Sequence, residues 1–174
     1  MKKLLPTAIV LAILAALGSY VLFFESKPVD PREQTDRLYR IKQADILKFR
    51  IESPDRGTSV VAEKEADTWW ITAPGRYEAD PDAVDAVLQL LSAPEVERRI
   101  GANDGAQFGL DRPTFRATAE LKRGKPRSFL AGRKNPSETA YFALAEGSKE
   151  VCMIPAAVVD GMRKSVSDLR SRAP

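Results

Sequence analysis

"TWWITAP" (residues 68–74), followed by "ADPDAVDAVLQLL" (residues 79–91), decides the fold class. In the first stretch, strand alternation puts Trp69 and Ile71 on one face and Trp70 and Thr72 on the other. Trp69 shares its face with an aliphatic side chain and is expected in the core. Trp70 shares its face with a threonine and is expected outside. Pro74 stops the strand, because it brings no N–H to a ladder. In the second stretch Asp80 can cap a helix and Pro81 occupies its first position, where a missing N–H costs nothing. Val84, Val87, Leu88 and Leu91 then recur at helical spacing on one side. A strand feeding an amphipathic helix means a helix packed on a sheet, which is the α+β class.

Upstream, Leu47, Phe49 and Ile51 alternate with charged residues, and "SPDRG" (residues 53–57) carries turn chemistry into a second strand over residues 58–64. The first unit therefore reads as a three-stranded meander. Downstream, residues 100–113 read as a loop from their Gly, Asn, Asp and Pro content, with Asn103-Asp104-Gly105 a turn. Phe115, Ala117, Ala119 and Leu121 alternate with polar residues as a half-buried strand. Further strands are expected over residues 127–131, 141–145 and 151–154. Pro155 then opens a second helix with Val158, Met162, Val166 and Leu169 on one face.

The plan is an α+β domain with antiparallel sheet of about seven to eight strands and two helices on one face. "WWITAP…PDAVDAVL" and "VCMIP…AAVVDGMR" share an order of strand, proline and helix, so residues 37–94 and 95–172 read as two similar halves.

The chain has 174 residues and begins "MKKLLPTAIVLAILAALGSYVLFFESKP". After Lys2 and Lys3 no charge appears from Leu4 until Phe24 has passed. At a rise of about 1.5 Å per residue that run spans roughly 31 Å as a helix, the thickness of a bilayer's hydrocarbon core. The rival reading is a cleaved secretory signal ending near Ala16-Leu17-Gly18. The continuing "YVLFF" gives the length of an anchor instead. Residues 1–24 are thus expected to be a single-pass inner-membrane anchor. Lys2 and Lys3 stay in the cytoplasm by the positive-inside rule, although Arg32, Arg37, Arg40 and Lys42 follow on the far side. Residues 25–36, with Pro28 and Pro31 among charges, read as an extended linker. Residues 37–172 form the extracytoplasmic, periplasmic domain.

Composition excludes several chemistries. There is no histidine and one cysteine, Cys152, so a Ser-His-Asp triad, a disulfide within the chain and a cysteine-held zinc or iron-sulfur centre all lack their parts. Net charge is +3, and without Lys2 and Lys3 the two signs nearly balance, which argues against nucleic acid as a partner. Phosphate-binding glycine loops and Ser-x-x-Lys pairs are missing from the sequence. No cofactor, no metal and no catalytic residue is expected. Glu78, Asp80, Asp82 and Asp85 gather where a helix begins, a place that attracts acids through the macrodipole, and they lack the glycine of a calcium loop. Candidate partner contacts are Trp70, Tyr77 and Arg127, the last within the basic stretch "LKRGKPRSFLAGRK". Trp69, Pro74, Asp80 and Pro81 have structural roles. So do Phe108, Gly109, Leu110, Asp111 and Pro113 in "FGLDRP".

"RLYRIKQADILKFRIES", "WWITAP", "ADPDAVDAVLQLL", "FGLDRP", "FLAGRKNPSETAYFAL" and "SDLRSR" occur in an order that resembles the bacterial domain-of-unknown-function family 4340. The resemblance covers residues 37–172, with "FGLDRP" its most specific element and "WxIxxP" the next. It implies an envelope protein and an accessory role, since some members accompany ABC-type export or gliding-motility components. It implies no catalytic residues. The functional expectation is a membrane-anchored extracytoplasmic accessory or scaffold domain with a protein partner in the envelope and no assigned small-molecule ligand. The alternative is a carboxylate-dependent envelope hydrolase or glycan-binding protein using Glu78, Asp80, Asp82 or Asp111.

Overall fold

Alternating side chains set the sheet. The computed structural model describes residues 36–102 and 105–171. The expected anchor, all of the linker but Asp36, and the turn residues Asn103 and Asp104 lie outside them. Among the described residues no helix is long and apolar enough to cross a membrane. The chain divides into units 1–34 and 35–174, and the described residues belong to the second.

The strands are β1 (Asp36–Arg37), β2 (Ile46–Ser53), β3 (Thr58–Glu65), β4 (Thr68–Ala73), β5 (Tyr77–Glu78), β6 (Glu95–Val96), β7 (Arg98–Ala102), β8 (Phe115–Leu121), β9 (Arg127–Lys134), β10 (Ala140–Ala145) and β11 (Glu150–Pro155). The helices are α1 (Pro81–Ser92), α2 (Ala156–Met162) and α3 (Val166–Leu169). Nine strands make one antiparallel sheet in the order β5-β4-β3-β2-β8-β9-β10-β11-β7, and β1 pairs with β6 in a separate ribbon. Two meanders, β2 to β5 and β8 to β11, thus meet through their first strands.

One face is apolar throughout. Phe49, Ile51, Ala62, Trp69 and Ile71 from the first meander join Phe115, Ala117, Phe129, Ala143 and Ile154 from the second in a single core. Val84, Val87, Leu88 and Leu91 of α1 are buried in that core with Val159 and Met162 of α2. Small alanines on β8, β9 and β10 leave room there for large neighbours, among them Phe129, which lies 6.5 Å from the Tyr39 ring. The opposite face carries charge: Lys48 pairs with Glu63 at 2.9 Å and Glu120 at 3.8 Å across three strands.

"FGLDRP" lies on the route across that outer face. The chain must travel from β7 at one edge to β8 in the middle, and Phe108 stacks on the outward Phe142 of β10 with ring centroids 4.5 Å apart. Beneath it β9 offers Gly132. A Cβ there would meet the Phe108 carbonyl oxygen and come within 2.8 Å of the Gly109 carbonyl carbon. Gly109 turns with φ of 72°, a conformation glycine adopts without strain. Leu110 is buried, closing the turn by an N–H bond to the Gly105 oxygen at 3.0 Å.

Four details correct the sequence reading. The sheet holds nine strands, because Tyr77–Glu78 and Arg98–Ala102 pair at the edges although neither shows apolar alternation. Residues 100–113, read as loop, accordingly begin inside β7. The second helix breaks in two: Arg163 leaves helical geometry and Ser165 starts α3 with a capping box to Asp168. Leu47 is 41% exposed while Ile46 is 1% exposed, because an irregularity between Ile46 and Lys48 against β8 inverts the alternation.

Candidate functional site

The first meander opens at one end. Along β3, Glu65 to Ala62 face Thr68 to Ile71 of β4 one for one, but Val61 faces Ala73, so β4 carries an extra residue there. Such a bulge bends its strand away, and Pro74 follows with no N–H to donate. Among the described residues, residues 58–60 of β3 therefore pair with β2 alone. The last elements of the chain close the far side. Asp80 N–H donates to the Leu169 oxygen at 2.8 Å and Ser171 N–H to the Glu78 oxygen at 2.9 Å, which ties the segment after α3 along β5.

Between these walls lies a cleft of about 900 Å³. Its floor is Thr58, Ser59 and Val60, and Pro74 and Tyr77 form one wall. Ser165, Val166, Ser167 and Arg170 face them. The Tyr77 ring has close neighbours in Gly75 and Arg170. A Cβ on Gly75 would stand 2.8 Å from it, so only glycine leaves the ring its position, and the Arg170 guanidinium covers it at 4.6 Å.

A buried arginine lies outside the cleft's lining. Arg163, its side chain 2% exposed, donates from Nη1 to both Asp55 carboxylate oxygens at 2.9 and 2.7 Å and from Nη2 to Thr114 Oγ1 at 3.1 Å. Its guanidinium carbon lies 5.5 Å from the Phe115 ring and 5.4 Å from the Tyr141 ring. Asp55 sits in the turn before β3 and Arg163 between α2 and α3, so this pair ties together the segments that lead into β3 and α3, two elements that line the cleft. Tyr141 donates to Asp160 at 3.0 Å, and burial pushes its phenol above the usual range, with the Arg163 cation opposing. Nothing in the sequence marks Arg163 or Arg170, because their meaning depends on residues about a hundred positions away.

The residues singled out in the sequence scatter. Trp69 is buried with its ring 5.4 Å from Phe49, whereas Trp70 is half-buried on the outer face under Arg76 at 4.7 Å. Tyr77 opposes Ile71 and so shares the inner face, turned away from Trp70. Arg127 is exposed on β9, with three strands between it and β4. Only Tyr77 and Pro74 reach the cleft. Asp80 caps α1, its Oδ1 accepting from Asp82 N–H at 2.9 Å and Ala83 N–H at 3.3 Å, with Pro81 at the first position. Glu78 opposes Trp70, and Asp111 is exposed on the crossover beside half-buried Pro113. Among the described residues no cluster of three or more His, Cys, Asp or Glu could hold a metal ion.

The fold and the cleft define an α+β domain of one antiparallel sheet, its helices on one face and a hydroxyl-rich opening beside an unpaired strand segment. The chain belongs to the family described as domain of unknown function DUF4340, whose pattern matches residues 69–174. The match opens at Trp69 and takes in "WxIxxP", "FGLDRP" and α3, but not β2 and β3. Neither a curated protein nor a solved structure matches the chain.

Proposed function

We propose that this protein is a non-enzymatic accessory module, tethered to the inner membrane by residues 4–24 and standing on the periplasmic side, that binds a protein partner of an ABC-type exporter or another envelope complex. The observation behind this reading is the cleft: it is roomy, open and lined by hydroxyls, Tyr77 and one guanidinium. Of the carboxylates that would serve a hydrolase, Glu78, Asp80, Asp82 and Asp111, none lines the cleft, and Asp80 is engaged as a helix cap. Chemical crosslinking in native membranes, followed by mass spectrometry of the solubilised chain, is the test. The expected result is a heterologous crosslink from the exported domain to another envelope protein. Recovery of the monomer alone would overturn the reading, and turnover of a glycan abolished by Asp80→Ala in a folded protein would replace it with an enzyme.

A further inference from the structure

Backbone direction identifies which residue of the cleft floor is unsatisfied. Ala79 N–H donates to the Trp69 oxygen at 2.9 Å, so Trp69 and Ile71 aim their backbone groups at β5, and Thr68 and Trp70 aim theirs at β3. Glu63, opposite Trp70, therefore faces β4. The register of β3 against β2 runs without interruption from Glu63 to Thr58, so direction alternates strictly along it. Ala62, Val60 and Thr58 face β2, while Val61 and Ser59 face the β4 side. Val61 meets Ala73. Ser59 has no partner strand on that side among the described residues, because β4 has bent away, and its N–H and C=O look toward the cleft it lines.

An unpaired donor and acceptor on a regular strand, beside open space, form a template for a further strand. The cleft's charge selects which one. Among its described lining residues Arg170 alone is charged, and among the described residues no carboxylate lies within ion-pair distance of it, whereas nine such pairs join other described residues. The guanidinium lies over the Tyr77 ring at 4.6 Å in the cleft lining, and Arg170 is exposed there. We infer that the cleft takes an extended segment of the partner protein, which adds as a short strand to β3 at Ser59 and places a carboxylate against Arg170. This rests on the partner-binding reading above and gives that reading its occupant.

The test uses the full chain in native membranes, with a photoreactive benzoylphenylalanine in place of Ser167 in the cleft, and separately in place of Trp70 or Arg127 outside it. The expected product at position 167 is a crosslink that maps to an extended, carboxylate-bearing segment of one protein. Ser59→Pro removes the free N–H while sparing every bond to β2. It should lower that yield about three- to tenfold, with Ser59→Ala as the control that keeps the N–H. Arg170→Gln should lower it about tenfold. Thermal unfolding checks that both variants fold, and hydrogen exchange at Ser59 gives a reading that needs no variant: fast in the isolated chain, slowed in the complex. An undiminished yield with folded Ser59→Pro, a helical or glycan adduct, or unchanged exchange at Ser59 would each overturn the inference. Crosslinks at Trp70 or Arg127 with none at 167 would overturn it and leave partner binding standing. Silence at all three positions would overturn both.

Discussion

The two meanders follow one plan and end differently. In the second, β11 runs straight into α2, with Pro155 both the last strand residue and the residue before the helix, and β7 covers the edge from Arg98 to Ala102. In the first, Pro74 and the Asp80 cap are separated by a detour that forms only the two-residue β5. The detour leaves part of β3 uncovered, and the cleft sits there. The two meanders thus differ at their edges: the second is covered by β7, and the first leaves residues 58–60 of β3 without a neighbour on the β4 side among the described residues.

The largest blow to the first meander should come from Trp69→Ala. It removes a ring packed on Phe49 and should cost about 3–5 kcal/mol in chemical denaturation, whereas Trp70→Ala on the outer face should cost less than about 1 kcal/mol. Equal losses would mean that the two tryptophans are not separated by the sheet. In the second meander the sensitive point lies under the crossover. Gly132→Ala should cost about 1–3 kcal/mol, because the new methyl meets the backbone of Phe108 and Gly109, which cannot swing aside as a flexible side chain could.

The helices give a finer contrast. Asp80→Ala should lose about 1 kcal/mol, since its carboxylate satisfies two N–H groups of α1. Pro155 makes no side-chain cap for α2, so Pro155→Ala should shift stability by less than about 0.5 kcal/mol. The smallest effect is expected with pH. Burial pushes the Cys152 thiol on the inner face of β11 up to about 11 from the usual 9.0. The unfolded chain then releases this proton at lower pH than the folded one, so stability is intact below pH 9 and declines as pH rises toward 11. Cys152→Ala should flatten that decline in a pH series of unfolding midpoints, and native Cys152 should resist thiol labelling at pH 8. The buried Tyr39 phenol, also raised by burial, leaves a residual slope in the variant.

Local pattern carried much of the fold. The opposite faces of Trp69 and Trp70, the capped helix from Pro81 and the alternation of Phe115 to Leu121 were all legible, because each rests on neighbours within a turn or a strand. Tyr77–Glu78 and Arg98–Ala102 were not, since edge strands are held by their partners and need no apolar period of their own. The inversion at Leu47 depends on the register with β8, and the break at Arg163 depends on where Asp55 and Thr114 stand. Of the cleft, the sequence pointed to Tyr77 and Pro74 and missed Ser59, Ser167 and Arg170.

By itself the sequence determined the α+β class, the core faces of the principal strands, the cap of α1, and the exclusion of histidine-based chemistry and disulfides, because periodicity and composition act locally. Tertiary structure alone decided the nine-stranded order, the use of "FGLDRP" as a bridge over Gly132, and the opening beside Ser59. Those follow from which strands meet and which do not, and strand pairing joins residues too distant in the chain for any local pattern to record.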